Sequence, residues 1–192
     1  MRVGLYGGSF NPVHVGHALV AETARRRLGL QRVIWLVSPQ NPLKNSAPER
    51  LDQRLRSTAQ LIQGRAMAAS DAERRLGSRY TIDTVRLLKL RFPGVKFVWI
   101  LGADSFAGLH HWRDWAGLMR ETPVAVVARP GFTLAALRSP AALRFARARL
   151  PACAARRLAG MPPPAWVFLN ARWSYASSTA LRNSPDLRSS VC

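Results

Sequence analysis

A strand, a glycine loop and a helix start follow one another in the first stretch of the chain, Val3-Gly4-Leu5-Tyr6-Gly7-Gly8-Ser9-Phe10-Asn11-Pro12-Val13-His14-Val15-Gly16-His17. The apolar run at residues 3–6 reads as a buried strand, and the apolar periodicity of residues 14–28 reads as a helix. Between them Gly7 and Gly8 let the backbone approach a ligand with no side chain in the way. The helix start directs free N–H groups and the positive end of its dipole at the same mouth, which suits an anion. His14 and His17 stand three apart in a helical pattern, so their imidazoles share a face and add donors there. This junction predicts a site that handles nucleotide phosphates.

The rest of the chain alternates in the same way. Strands are expected at residues 32–37, 66–69, 95–101, 123–128 and 167–169. Helices are expected at 49–63, 81–91 and 133–149, with short helical pieces over 104–119 and a last helix opening at 178–182. Thr81 and Asp83 supply start signals for the helix at 81–91. The prolines and asparagines of residues 38–48 mark a loop. This order predicts an α/β fold: a Rossmann-like, doubly wound, mostly parallel sheet with helices on both faces. Ligands in such folds bind beyond the C-terminal ends of the strands, near a switch in strand order. The loop after residue 6 and the segment at 102–115 both follow strands and can open on one crevice. With no repeat and no firm internal boundary, residues 1–192 are read as a single domain.

The net charge of +19, mostly arginine, attracts nucleotides, nucleic acid or anionic lipid without choosing among them. The segment 133–157 carries Arg138, Arg144, Arg147, Arg149, Arg156 and Arg157 with no acidic residue. Most arginines read as solvated surface. No apolar run reaches membrane-spanning length and the start has no signal-peptide layout. Cys153 and Cys192 lack metal or redox spacing, which fits a reduced, cytoplasmic setting.

Five segments carry a resemblance. Gly7-Gly8-Ser9-Phe10-Asn11-Pro12-Val13-His14-Val15-Gly16-His17 resembles the signature of the nucleotidyltransferases with the H-x-G-H motif, in the form found in bacterial nicotinate-nucleotide adenylyltransferases. Ala176-Ser177-Ser178-Thr179-Ala180-Leu181-Arg182 resembles the family's I-S-S-T-x-I-R motif, with two apolar replacements. Gly102-Ala103-Asp104-Ser105-Phe106 with Leu109, Trp112 and Trp115 resembles its G-x-D-S-F-x-x-L-x-x-W-x-x-W block. Arg79-Tyr80-Thr81-Ile82-Asp83-Thr84 is similar to its S-Y-T-I-D-T segment, with Arg79 in place of serine. Pro39-Gln40-Asn41-Pro42-Leu43-Lys44 is similar to its P-P-H-K loop, departing at Asn41 and Leu43 and keeping the lysine.

The resemblance implies an enzyme joining ATP to nicotinate mononucleotide to give deamido-NAD and pyrophosphate. It implies that His14, His17, Lys44 and Arg182 serve catalysis. Gly7, Gly8, Ser9, Phe10, Gly102, Asp104, Ser177, Ser178 and Thr179 are the implied ATP contacts. Asn41, Thr81, Trp112 and Arg129 are the implied contacts to the second substrate. Trp112 would stack on the pyridine ring, with Leu109 and Trp115 in the core. Thr81 reads equally as a carboxylate site or a plain helix cap, and the resemblance favours the carboxylate. Mg²⁺ is expected mainly on ATP phosphates, with no dedicated metal site. Two other readings stay open. One is a sister enzyme preferring nicotinamide mononucleotide or another phosphate ester. The other is a basic nucleic-acid-binding protein. The chain ends ten residues past Arg182, short of the tail many relatives carry, and an oligomer stays open.

Overall fold

The computed structural model describes residues 1–39, 50–62, 64 and 66–171. The expected sites at Asn41, Lys44, Ser177, Ser178, Thr179 and Arg182 lie outside the described residues, as do the helix expected at 178–182 and Cys192.

The chain opens with β1 (Arg2–Gly8), α1 (Val15–Leu28) and β2 (Arg32–Val37), followed by α2 (Leu51–Leu61), β3 (Met67–Ser70), the single turn α3 (Ala72–Arg75) and α4 (Thr81–Arg91). Next come β4 (Lys96–Gly102), α5 (Ala103–Ala107), a 3-10 turn at Leu109–His111, α6 (Trp115–Glu121) and β5 (Val124–Val127). The last part holds α7 (Thr133–Leu137), α8 (Pro140–Arg144), β6 (Arg149–Leu150), a 3-10 helix at Ala152–Gly160 and β7 (Trp166–Leu169).

Among the described residues the strands form one sheet in the order β3-β2-β1-β4-β5-β7-β6, and every pairing is parallel. Strands buried on both faces alternate between two cores. Val3, Leu5, Trp99, Leu101 and Val126 face one core, covered by α4, α5 and α6. Tyr6, Trp35, Val98, Ile100 and Val127 face the other, covered by α1 and the Ala152–Gly160 helix. Helices therefore cover both faces, and the strand order reverses between β1 and β4. Gly4 sits where these layers touch: a Cβ there would come within 2.6 Å of Ile100 and 2.8 Å of Leu30.

Two expectations need correction. The segment 133–149 is not one helix. The Ser139 hydroxyl accepts from the Ala142 N–H at 3.2 Å and Pro140 occupies the first helical turn, so a second helix starts where the first would have continued. Proline suits that first turn because its missing N–H is not needed there. At α4, the cap position belongs to Tyr80 and makes no side-chain cap bond, so Thr81 is the first helical residue and not the cap.

Candidate active site

The crevice at the strand-order switch is built from the C-terminal ends of β1 and β4. β1 delivers Gly7 and Gly8 to its rim. A Cβ on Gly7 would lie 2.7 Å from the Trp99 ring, so only glycine lets β1 and β4 close here. The chain then turns through Phe10, a non-glycine residue at φ 44°. The Phe10 ring holds that turn from below: it is buried and meets Tyr6 edge-on at 5.4 Å and His17 at 5.2 Å.

α1 starts on a cap made of histidines. His14 is the capping residue, and its Nδ1 accepts from the Gly16 N–H at 3.1 Å. The His17 Nδ1 accepts from the His14 N–H at 3.2 Å. Serine and glutamate ordinarily fill these two places of a capping box. A ring nitrogen that accepts a backbone N–H carries no proton itself, so in each ring the proton sits on Nε2. Each imidazole therefore presents an Nε2–H donor, and the two rings lie 3.9 Å apart. His14 is 1% exposed, and its Nε2 is buried with no partner among the described residues. Burial, then the Arg129 charge, lower its pKa to about 4 against an opposing pull from Asp104. It is neutral at physiological pH.

β4 delivers the other side. Gly102 leads into α5, where Asp104 accepts from Arg129 Nη1 at 2.9 Å. A Cβ on Gly102 would collide with the Asp104 carboxylate and crowd Arg129 at 3.2 Å. Asp104 Oδ1 and Arg129 Nη2 are buried, and neither has a partner among the described residues. Tyr6, beneath them, has its phenol pKa raised by burial. His14, Asp104 and Arg129 thus each keep a buried polar atom unused. Such groups cost free energy unless something outside the protein completes them.

A second lobe lies at the start of α4. Trp112 is half-buried against the core beside it, and the Arg113 guanidinium lies 4.7 Å over the Tyr80 ring. That contact joins the Trp112 segment to the α4 N-terminus, where Thr81 is half-buried. Leu109 is fully buried, as expected. Trp115 is only partly buried, set edge-on to Phe145 with Arg144 over its ring.

Two buried polar residues near the crevice escaped the sequence reading. Arg54 is 1% exposed. Glu73 is buried next to Ser38, and burial raises its carboxyl pKa to about 7 against the Ser38 hydrogen bond. Only their place among apolar neighbours of short helices could have marked them. Among the described residues no three His, Cys, Asp or Glu gather as a metal cage, and no helix is long and apolar enough to cross a membrane.

The family model described as cytidylyltransferase-like matches residues 5–184. A relative from Caulobacter sp. (strain K31), named "Probable nicotinate-nucleotide adenylyltransferase", is 61% identical over 95% of this chain and 97% of its own. A relative of the same name from Methylorubrum extorquens is 51% identical over 95% of this chain and 99% of its own. The chain belongs to the nicotinate-nucleotide adenylyltransferase family. Its fold matches that family at low identity too. The nicotinic acid mononucleotide adenylyltransferase of Plasmodium falciparum complexed with NaAD superposes with a TM-score of 0.71 at 16% identity, over 95% of this chain and 82% of that one. In this adenylyltransferase-family chain, His14, Asp104 and Arg129 of the sequence signature lie together at the C-terminal ends of β1 and β4, with Trp112 in the second lobe.

Proposed function

We propose that the chain transfers AMP from ATP to nicotinate mononucleotide, releasing pyrophosphate and forming deamido-NAD. The observation that carries this is the paired His14 and His17 rings, with His14 beside the Asp104–Arg129 pair at the switch point, in a chain of this family. The 5′-phosphate of the mononucleotide attacks the α-phosphorus of ATP in line with the departing pyrophosphate. A phosphate is already a competent nucleophile at neutral pH, so the protein's task is positioning and charge stabilisation. His14 and His17 aim their N–H donors at the transferring phosphoryl group. The α1 N-terminus adds its dipole, and the Gly7–Phe10 loop lets the phosphates approach the backbone.

Asp104 offers its free oxygen to ribose hydroxyls, and Arg129 holds it in place. Trp112 stacks on the pyridine ring, and the α4 start at Thr81 offers N–H groups to the nicotinate carboxylate. Lys44, Arg182 and the serine-rich segment Ser177, Ser178 and Thr179 complete the grip on the triphosphate, with Asn41 on the mononucleotide side. Mg²⁺ fits this donor set as part of the nucleotide: a hard, hydrated cation on phosphate oxygens neutralises their charge and needs no cage of protein carboxylates. The whole chain acts as one domain in the cytoplasm.

The test is pyrophosphate release from ATP and Mg²⁺ with nicotinate mononucleotide, nicotinamide mononucleotide or phosphopantetheine as acceptor. Strong preference for the nicotinate form is expected. Equal use of both pyridine nucleotides would remove the carboxylate site at Thr81. Release only with phosphopantetheine would overturn the assignment.

A further inference from the structure

The β1–β2 ladder runs to the pair Gly8 and Val37 and closes with the Ser38 N–H on the Gly8 carbonyl at 3.0 Å. Past that point α2 supplies a further tie. Arg54 Nη1 donates to the Ser9 carbonyl at 2.7 Å and to the Ser38 carbonyl at 2.7 Å, and Nη2 donates to the Pro39 carbonyl at 3.0 Å. A buried guanidinium is expensive to desolvate. An apolar side chain would pack α2 on the sheet at lower cost, so packing does not account for an arginine here. What an arginine adds is a rigid planar fork that fixes several carbonyls at once.

We propose that Arg54 is a positioning residue for adenylyl transfer: it aims the loop after β1 at the phosphates. This rests on the function proposed above. The Ser9–Phe10 peptide is trans, so its carbonyl and its N–H point in opposite directions. Arg54 draws the Ser9 carbonyl toward α2 and β2. The Phe10 N–H is thereby turned to the other side, toward the β1–β4 crevice that holds His14, Asp104 and Arg129. Among the described residues no backbone acceptor meets that N–H. The positive φ of Phe10 and its clamped ring set one end of this peptide, and Arg54 sets the other. Without the guanidinium the peptide can rotate, and the phosphate loses a backbone donor. The same fork holds the exit of β2 at Ser38 and Pro39.

The test compares Arg54→Met, which fills the space without donors, with Arg54→Lys, which keeps the charge and part of the bonding. Folded Arg54→Met should lose ~10²-fold in kcat, the scale of a misplaced reacting group. KM for ATP should rise, while KM for nicotinate mononucleotide holds. Arg54→Lys should fall between Arg54→Met and the parent. A nonhydrolysable ATP analogue should shift the Phe10 amide resonance in the parent and leave it unmoved in Arg54→Met. Folded Arg54→Met with parental kcat and KM for ATP would overturn the proposal. So would a lowered melting temperature with normal turnover, which marks a purely structural arginine. If Arg54→Met fails to fold, Arg54→Lys decides, and parental kinetics in it overturn the proposal. If the parent itself releases no pyrophosphate, the adenylyl-transfer reading fails on its own, and the Phe10 resonance still tests Arg54.

Discussion

His14 does two things that separate substitutions can tell apart. Its Nδ1 caps α1 through the Gly16 N–H, and its Nε2–H is an unused buried donor at the crevice. A side-chain cap contributes about 1 kcal/mol. In a chain of this size that corresponds to about 2–4 °C in Tm. A lost hydrogen-bond donor to a transition state costs about 10²–10³ in kcat, roughly 3–4 kcal/mol. His14→Ala removes both, so it should lower Tm and kcat together. His14→Ser keeps a capping oxygen and is too short to reach the phosphate. The space left by the imidazole is common to the two variants, so their difference isolates the cap. His14→Ser should therefore recover the few degrees that His14→Ala loses and recover none of the rate. Thermal melts and pyrophosphate release at saturating substrates measure the two effects. Near-parental kcat in His14→Ser would refute the donor role, and equal Tm in the two variants would refute the cap.

Three further outcomes follow from the geometry. Trp112→Ala should weaken nicotinate mononucleotide binding more than ATP binding by calorimetry, and an equal loss for both would make the indole structural. Arg129→Ala removes the second cause, after burial, of the low His14 pKa; that pKa should rise from about 4 and carry the acid limb of the kcat profile upward, so an unmoved limb would separate His14 from that titration. Glu73, raised by burial to about 7 from 4.5, holds a proton in the folded state that the unfolded chain has already lost. Its stability contribution is intact below pH 4.5 and falls as pH rises toward 7, so Glu73→Gln should raise Tm at pH 8 and leave it little changed at pH 4.5. An equal gain at both pH values would show that the carboxyl does not titrate as placed.

Strands with uninterrupted apolar runs were the most legible part of the chain. Residues 32–37 and the helix at 81–91 match β2 and α4 residue for residue, because burial on both faces and helical periodicity leave few alternatives. The first helix is found at residues 15–28, one residue later than expected, because His14 caps it instead of beginning it. Legibility failed where one local signal competed with another. Residues 133–149 have helix-forming composition throughout, yet Ser139-Pro140 is a helix start and overrides it. α3 and the two-residue β6 are too short to carry a period, and β6 exists only through its pairing with β7. At the site, His14 and Asp104 stood in motifs, Arg129 stood just past the strand expected at 123–128, and strand order placed the three together. Arg54 and Glu73 stood in none. Their importance lies in which carbonyls and hydroxyls the fold brings to them, and that is a tertiary fact.

The low pKa of His14 bears on the role proposed for it. An efficient general acid at neutral pH has a pKa near 7. A histidine held near 4 carries no second proton to give under those conditions. It remains a fixed, neutral donor through Nε2, and burial strengthens such a donor by removing the water that would compete for it. Adenylyl transfer suits this arrangement. The attacking phosphate needs no base, and the departing pyrophosphate is a stable anion that cations can hold. What the reaction needs is a preformed set of donors around the oxygens where charge accumulates, and no reorganisation at the moment of transfer. Desolvation of His14, the Arg129 charge beside it and the N–H caps on both Nδ1 atoms all push toward that one protonation state. The histidine cap of α1 thus does more than start a helix. It fixes the tautomer of each ring, and so sets the two N–H donors on which the proposed mechanism relies.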